Sequence, residues 1–362
     1  MKKLRIRAIR ARPVMAPMKR PLAASISTLT VAPLVLIDLQ TDGGVVGRSY
    51  LFGMAKHHLP PIVKLLEAMA EIVKGDPVAP LDLERKLRGK YALLGVHNIV
   101  LIAMAGIDMA AWDALAIALG QPLARVLGAE PRAIPAYNSK GLGIMKTKAL
   151  AAEARELLEE GFRAVKLRLG RASAEEDLEA LRAVKKEIGP KVRLMVDFNQ
   201  ALSVAEAEKR GRMIDEEGGV DWIEEPIRAD DFAGAARLAR TLATPIQLGE
   251  NFMGPEQMAQ ALAAGACDFA MPDAQRIGGV TGWLRAAALA QGVGMEMSSH
   301  LFPEISVHLL AATPTCHWLE YVDWADAVLE APLPVKDGVA IAPDRPGTGL
   351  SWNEKAVKRF AL

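Results

Sequence analysis

The sequence predicts an α/β fold in which a closed parallel β-barrel follows a smaller α+β domain. From about residue 134, short apolar segments alternate with amphipathic helical segments at intervals of roughly 22–32 residues, which is typical of repeated strand–helix units. Eight such units occupy about 190 residues, as in a barrel of eight parallel strands. An open doubly wound sheet would carry a glycine-rich phosphate-binding turn after its first strand, and none follows Ser139.

The first domain is predicted to consist of strands followed by helices. The predicted strands are 4–14, 34–39 and 45–52, and the predicted helices are 60–74, 81–89 and 98–119. The Gly-rich turn at 41–44 joins the last two strands as a hairpin. The apolar segment 99–107 ends at Asp108 and is shorter than the ~20 residues that span a bilayer, so we expect a buried helix.

The barrel prediction follows the alternation from its first strand to its last. The predicted strands are 134–139, 164–169, 192–198, 221–225, 246–250, 268–272, 294–299 and 317–322. The predicted helices are 148–160, 174–188, 203–217, 231–242, 254–264, 279–291 and 303–312. We predict a first domain of residues 1–128, a barrel domain of residues 129–325, and a Pro- and Gly-rich segment 326–362 that packs back on the first domain.

Composition excludes several classes of protein. The 44 Lys and Arg residues nearly balance the 43 Asp and Glu residues, which argues against a nucleic-acid partner or a polybasic membrane surface. The two cysteines, Cys267 and Cys316, form no C-x-x-C pair, so a disulfide framework and a cysteine-ligated zinc site are excluded. No apolar segment of signal-peptide type follows the basic N-terminus. We therefore expect a cytoplasmic protein.

Polar or ionisable side chains follow all eight predicted barrel strands. They are Ser139, Lys166 and Arg168, Asp197 and Asn199, Glu224 and Glu225, Glu250 and Asn251, Asp273 and Gln275, His300, and Glu320. Barrel enzymes carry their chemistry at these carboxyl ends, where loops from all strands meet. The pattern therefore predicts an enzyme active site.

Asp197, Glu224 and Glu250 end three successive strands. Three converging carboxylates repel one another strongly unless a cation lies between them. Oxygen ligands without His or Cys favour a hard ion, Mg²⁺ first and Mn²⁺ next. Glu225 is expected to point to the opposite face of its strand and to support the site.

His300 and Asp273 end neighbouring strands, and an Asp that hydrogen-bonds an imidazole fixes its tautomer and stabilises its charged form. The pair is therefore predicted to act as a general base. Lys166 and Arg168 are two residues apart and project from the same face of one strand, which indicates anion binding or proton transfer. Glu320 completes the ring opposite the metal ligands.

These segments resemble the enolase superfamily and, within it, the mandelate racemase subgroup. The matching segments are Ala164–Arg168, Val196–Gln200, Trp222–Pro226, Gly249–Asn251, Met271–Ala274, Gly278–Trp283, Ser298–Phe302 and His317–Glu320. Two further matches, Ala32–Asp38 and Gly106–Asp113, lie in the first domain. The likeness covers essentially the whole chain.

The resemblance implies a (β/α)₇β modified TIM barrel with an N-terminal α+β capping domain. It implies removal of the proton α to a carboxylate, with Mg²⁺ stabilising an enediolate and Asp197, Glu224 and Glu250 holding the metal. His300 with Asp273 would be the base, and Glu320 the acid on the substrate carboxylate. Lys166, Ser139 and Asn199 would contact that carboxylate or its surroundings. A homo-oligomer, an octamer by this resemblance, is expected.

One position departs from the family pattern. Mandelate racemases carry Lys-x-Lys on the second barrel strand, with the second Lys as a base facing the His, and here that place holds Arg168. Arginine holds its proton with a pKa above ~12 and is a poor base. Racemisation by two opposed bases is therefore in question.

The substrate pocket is predicted from the cap. Leu22, Ile26, Leu29 and Met54, with Phe52, Leu301 and Val322, resemble the apolar pocket of mandelate racemase. The alternative is that these side chains form cap-domain core. Lys19 and Arg20 in the same loop could instead meet a polyol or a second acid group.

The leading hypothesis is an enzyme that abstracts the α-proton of a 2-hydroxy carboxylate, as a racemase or epimerase. The alternative is a sugar-acid dehydratase that uses His300 and Asp273 as base and then as acid. A muconate-type cycloisomerase is disfavoured because those enzymes carry Lys where this chain has Asp273. A non-catalytic barrel that binds a carboxylate is the remaining hypothesis.

Overall fold

The N-terminal domain is an antiparallel sheet covered by helices. The computed structural model describes residues 4–25 and 28–362, and within them this sheet has the strands β1 (Ile6–Ala23), β2 (Thr28–Thr41) and β3 (Val46–Phe52). The helices are α1 (Leu59–Val73), α2 (Pro80–Tyr91), α3 (Asn98–Ala118) and α4 (Leu123–Val126). The predicted α+β cap is confirmed.

The hairpin of β1 and β2 is longer than the sequence predicts. Pro17 and Pro21 suggest a loop after residue 14, because proline has no N–H for a strand ladder. The structure accommodates them with a register shift between Pro17 and Leu22, after which Leu22 pairs with Leu29. The two strands therefore extend beyond the sheet and reach over the barrel.

Helix α3 is the central helix of the cap. By length and composition it could cross a membrane, but 78% of its most apolar stretch is buried inside the protein. It packs directly on β3, where a Cβ on Gly47 would lie 2.0 Å from the carbonyl oxygen of Ala110. Only glycine permits this close approach. Because most of α3 is buried inside the protein, the expectation of a buried helix is confirmed.

The second domain is the predicted barrel. Its regular parallel strands are β4 (Ala133–Asn138), β5 (Ala164–Arg168), β6 (Arg193–Asp197), β7 (Ile223–Glu224), β8 (Ile246–Leu248), β9 (Phe269–Ala270) and β10 (Leu319–Tyr321). The helices are α5 (Thr147–Glu159), α6 (Ala174–Ile188), α7 (Val204–Glu217), α8 (Phe232–Thr241), α9 (Pro255–Ala264), α10 (Gly279–Val293) and α11 (Pro303–Ala311).

The predicted strand 294–299 is not a regular strand. It is reduced to single bridges, in which Met297 pairs with Ala270 on one side and with Cys316 on the other. Pro272 in the neighbouring segment supplies no N–H, which limits the ladder there. The barrel still closes, because Ser298 N donates to Ala270 O at 2.8 Å and Ser299 N donates to Trp318 O at 2.9 Å.

The C-terminal segment contacts both domains. Strand β11 (Val335–Lys336) pairs with β12 (Val339–Ile341), which joins the outer side of β4 and not the cap. Helix α12 (Glu354–Phe360) lies on the cap, where Arg12 bonds Glu354 at 2.6 Å. The expectation that all of 326–362 packs on the first domain is therefore met only in part.

His308 on α11 links three parts of the fold. Its Nδ1 accepts a hydrogen bond from Ala124 N at 3.2 Å, at the start of α4, and its Nε2 lies 3.2 Å from Thr348 O. Burial lowers the pKa of His308 from 6.5 to about 4, and the bond to Thr348 only partly offsets this effect. The folded protein therefore keeps this imidazole neutral where the unfolded chain would protonate it.

We predict that His308 lowers the free energy of unfolding as the pH falls below about 6.5. The unfolded state then binds a proton at this imidazole, and the folded state does not. In His308→Gln, which cannot titrate, that contribution is absent. Between pH 7.5 and pH 5, the stability advantage of wild type over variant should shrink by about 2 kcal/mol. Denaturant unfolding at both pH values measures it, and an unchanged difference would contradict the prediction.

Candidate active site

The strand register places the predicted residues at one edge of the barrel. Arg168 pairs with Asp197, and Asp197 pairs with Glu224, so three charged side chains end adjacent strands at the same level. Glu250 follows Gly249, whose φ of +142° and 2.8 Å approach to Met271 N leave no room for a Cβ. This glycine lets the chain turn Glu250 toward the other carboxylates.

Asp197, Glu224 and Glu250 form a compact acidic cluster. One oxygen from each lies within 4.8 Å of the others, and this set could hold a metal ion. Asp197 and Glu224 are buried. Oxygen donors at this spacing suit a hard divalent cation, which agrees with the expectation of Mg²⁺.

Lys166 lies among the same carboxylates. Its Nζ is 2.7 Å from Glu224 Oε1, 3.2 Å from Asp197 Oδ2 and 2.7 Å from Glu320 Oε1. Burial would lower the pKa of Lys166, but these negative charges outweigh burial and raise it well above its ordinary value. These contacts place the Lys166 ammonium group as a positive charge among the acidic side chains.

Amide groups hold the acidic side chains in place. Asn199 donates to Asp197 through its backbone N–H at 2.7 Å and its Nδ2 at 2.9 Å. Asn251 Nδ2 donates to both oxygens of Glu225 at 2.9 and 2.8 Å and to Glu250 at 3.2 Å. Glu225 lies beyond the two-residue strand β7 with φ +37°, so strand alternation does not set its direction as the sequence suggested.

His300 and Asp273 form the predicted pair. His300 Nδ1 lies 2.7 Å from Asp273 Oδ2, and Asp273 Oδ1 accepts the backbone N–H groups of Gln275 and Arg276 at 2.9 and 3.0 Å. His300 Nε2 is 3.3 Å from Glu250 Oε2.

The charges around His300 decide its proton affinity. Burial would lower its pKa, but the charges of Glu250 and Glu320 and the bond to Asp273 outweigh burial and raise the pKa to about 9. A cation bound to Glu250 would weaken the effect of the Glu250 charge on the pKa of His300. The pair can therefore exchange a proton at Nε2.

Arg168 and Ser139 are held at the first barrel loop. Arg168 Nη1 donates to the carbonyl oxygens of Ser139 and Gly141 at 3.0 and 2.9 Å, and its Nη2 donates to Ser139 Oγ at 2.7 Å. Ser139 Oγ lies 2.7 Å from Glu320 Oε1. Ser139 is fully buried and, unlike Arg168, is not part of the cavity wall.

Glu320 accepts hydrogen bonds on both oxygens, because Leu301 N donates to Oε2 at 3.0 Å. Burial would raise its pKa, but the charges of Lys166 and His300 hold the pKa of Glu320 below its ordinary value.

A small cavity of about 90 Å³ lies between this cluster and the cap. Its polar wall includes Lys166, Arg168, Asp197, Asn199, Glu250, Asp273, His300 and Glu320. Its apolar wall is Leu22, Leu29, Phe52, Met54, Leu301 and Trp324. The structure therefore brings most of the predicted residues to one cavity; Ile26 lies outside the described residues, and Val322 is buried away from the cavity wall.

The lid segment, residues 18–25 of β1 and its turn, contacts the barrel through its outer side. Lys19 lies 3.2 Å from Asp326, and Arg20 lies 2.7 Å from Glu156. Ile144 N also donates to Ala23 O at 2.7 Å. The structure therefore does not bring Lys19 and Arg20 to the cavity, because both are paired outside it.

Of two further wall residues, Trp324 was not predicted, and Gln275 was predicted only as a polar residue at the end of the sixth strand. Trp324 follows β10 by three residues and packs against Phe52, with ring centroids 5.0 Å apart. Gln275 Oε1 accepts the backbone N–H of Phe52 at 3.0 Å, which fixes the cap to the barrel. Polar or aromatic residues just after a barrel strand are the only sequence signal for them.

A larger cleft of about 920 Å³ lies beside the cavity, between cap residues 92–98 and the loops after β6, β7 and β8. It shares Gln200 and Asn251 with the surroundings of the acidic cluster. It contains none of the predicted metal ligands or the His300–Asp273 pair, so the smaller cavity is the candidate active site.

Two protein-family models match the chain. Residues 6–128 match the N-terminal domain of the mandelate racemase / muconate lactonizing enzyme family, and residues 149–356 match the enolase C-terminal domain-like family. The chain is 31% identical to L-talarate/galactarate dehydratase from Salmonella typhimurium over 91% of this chain and 82% of that protein. Other relatives are named as racemases, epimerases and cycloisomerases.

Solved structures agree closely with this fold. An enolase from alpha proteobacterium BAL199 with bound Mg is 45% identical, with a TM-score of 0.97 over 99% of this chain and 100% of that one. An enolase from Bradyrhizobium complexed with magnesium and mandelic acid is 41% identical, with a TM-score of 0.96 over 100% and 99% of the two chains. The chain therefore belongs to the mandelate racemase/muconate lactonizing enzyme subgroup of the enolase superfamily, a family of enzymes.

Proposed function

We propose that this enzyme removes the α-proton of a small 2-hydroxy carboxylate with an apolar substituent, through an enediolate intermediate and with Mg²⁺. The observation that carries the proposal is the His300–Asp273 pair at a cavity whose other wall is apolar. The Bradyrhizobium relative, complexed with magnesium and mandelic acid, supports this class of substrate.

Asp197, Glu224 and Glu250 are proposed to hold the metal, since their oxygens lie within 4.8 Å of one another. Bound Mg²⁺ would supply positive charge that stabilises the developing negative charge on the substrate carboxylate. Lys166 adds a fixed positive charge beside it. The Asn199 side chain donates an N–H to Asp197, and its buried Oδ1 has no hydrogen-bond partner within residues 4–25 and 28–362. This oxygen is proposed to accept the substrate hydroxyl group.

His300 is proposed to take the α-proton at Nε2. Asp273 accepts from Nδ1 and stabilises the imidazolium that forms, while two backbone N–H groups hold Asp273 in place. Glu320 is proposed to face the substrate carboxylate. Its Oε2 lies 3.8 Å from His300 Nε2.

Arg168 favours reaction from one face. Its guanidinium donates to three oxygens of the first barrel loop, and a guanidinium is a poor general base. The proposal is therefore stereospecific exchange at the His300 face, with slow racemisation.

A sugar-acid dehydratase is the second candidate. The single base and the 31% identity to L-talarate/galactarate dehydratase favour it. The apolar cavity wall and the outward pairing of Lys19 and Arg20 favour the 2-hydroxy acid with an apolar group. Proton exchange in D₂O with mandelate-like acids and with sugar acids, read by ¹H NMR, tests the two; exchange of only the sugar acids would contradict the first.

We predict that chelation abolishes turnover and that Mg²⁺ restores it. Glu224→Gln removes one of three anionic ligands and should weaken Mg²⁺ binding by roughly tenfold or more. Glu216→Gln, at an exposed position of α7, is the matched control. Calorimetric titration with Mg²⁺ measures both, and equal affinities would exclude this cluster as the metal site.

We predict that Asp273→Asn lowers the exchange rate by about 10²–10⁴-fold, because it keeps the shape but loses the charge that stabilises protonated His300. The fold should survive, since the amide oxygen can still accept from Gln275 and Arg276. Exchange kinetics with a parallel thermal-unfolding control are the measurement. Near-full turnover would mean that His300 is not the base.

We predict that Arg168→Lys raises α-proton exchange from the second face by about tenfold or more, because a lysine can lose its proton in a cationic site where arginine cannot. Exchange from the His300 face should not rise. The measurement is α-proton loss in D₂O from each enantiomer. Equal and fast exchange from both enantiomers in the wild type would show that Arg168 already works as a base.

A further inference from the structure

We propose that Arg168 is a positioning residue for Glu320 and acts through the hydroxyl group of Ser139. This inference rests on the proposed function, because Glu320 matters only if it faces the reacting carboxylate. It gives a role to the residue by which this chain departs from the Lys-x-Lys pattern. The role requires neither proton loss from Arg168 nor its contact with substrate.

The contacts of Arg168 are all with neutral oxygens. Its two terminal nitrogens donate to Ser139 O, Gly141 O and Ser139 Oγ, and within residues 4–25 and 28–362 it forms no ion pair with a carboxylate. Arg168 is nevertheless buried, with 5% of its surface exposed. Hydrogen bonds from a charged donor are stronger than those from a neutral donor. The bonds from the buried Arg168 therefore hold the loop of Ser139 and Gly141 in place.

The direction of the next hydrogen bond follows from chemistry. A guanidinium carries donors and no acceptor, so Ser139 Oγ must accept from Arg168. The hydroxyl proton is then free for the other neighbour of Oγ, which is Glu320 Oε1 at 2.7 Å. Because the Glu320 carboxylate can only accept, Ser139 is its donor, and the bond from Arg168 orients that donor.

Three donors then define the position of Glu320. Oε1 receives Ser139 and Lys166, both at 2.7 Å, and Oε2 receives Leu301 N at 3.0 Å. Oε1 is thus fully engaged with the protein, and Oε2 is the oxygen nearer to His300 Nε2. The chain Arg168–Ser139–Glu320 sets which oxygen of Glu320 is presented to the substrate.

Loss of this orientation should lower the rate constant more than it weakens binding. Without Arg168, the Ser139 hydroxyl can rotate and Glu320 loses one of its fixed donors. Preorganised groups of this kind act mainly in the transition state, and small displacements are costly there. The effect must disappear when Ser139 has no hydroxyl, because Arg168 then has nothing to orient.

A double-mutant cycle tests the proposal with Ser139→Ala, Arg168→Met and the double variant. The readout is α-proton exchange from the enantiomer that reacts at the His300 face, with kcat and KM separated and Mg²⁺ affinity measured alongside. Each single change should lower kcat by about 10–100-fold with KM and Mg²⁺ affinity within about threefold, and the double variant should be no slower than the slower single. Ser139→Thr, which keeps the hydroxyl, should restore most of the rate.

Multiplying losses in the double variant would overturn the proposal, since Arg168 would then act independently of Ser139. An unaffected Ser139→Ala would overturn it as well. If the wild type exchanges no acid, the proposed function fails, and the same cycle is read in denaturant unfolding. Non-additive stabilities there would support the hydrogen-bond chain, and additive stabilities would overturn it.

Discussion

Electrostatic repulsion among buried carboxylates is the constraint on which this active site depends. Asp197, Glu224, Glu250 and Glu320 converge at one end of the barrel, where water cannot screen them as it does at the surface. Lys166, a buried cation, lies within 3.2 Å of three of the four. A single ammonium group cannot neutralise this much charge, so the arrangement is suited to a further cation.

The same constraint explains why the neighbouring polar groups are so well ordered. Several acidic groups have amide donors of their own, such as Asn199 for Asp197 and Asn251 for Glu225 and Glu250, whereas Glu224 accepts from Lys166 and from the indole N–H of Trp222. Beneath them, the rings of Tyr137 and Trp222 meet edge to face, with centroids 5.6 Å apart. This apolar floor keeps water from entering below Lys166, so the charges act on each other and on whatever occupies the cavity.

The sequence was most informative where local pattern and topology coincide. Parallel strands bring their carboxyl ends to one edge, so Asp197, Glu224 and His300 could be placed together from strand spacing alone. The strand predicted before His300, residues 294–299, was wrong as a regular strand, because Pro272 limits its ladder to isolated bridges. Long-range contacts were also out of reach: nothing near Lys19 or Gln275 in sequence indicates Asp326 or Phe52 as partner. The hydrogen bonds of the buried Ser139 depend on where the Arg168 side chain lies, which the sequence does not show.

The lid segment, residues 18–25, uses different side chains for two properties: the shape of the cavity and the attachment of the segment to the rest of the protein. Its inward side chain, Leu22, shapes the cavity together with Leu29, whereas Lys19 and Arg20 hold the segment to the barrel rim from outside. The inward positions shape the cavity, and the outward ion pairs hold the segment against the rest of the protein. Because the pairs are partly exposed, dissolved salt weakens them and leaves the cavity shape unchanged. The apolar residues on the inward side can therefore be exchanged without removing the ion pairs that hold the segment in place.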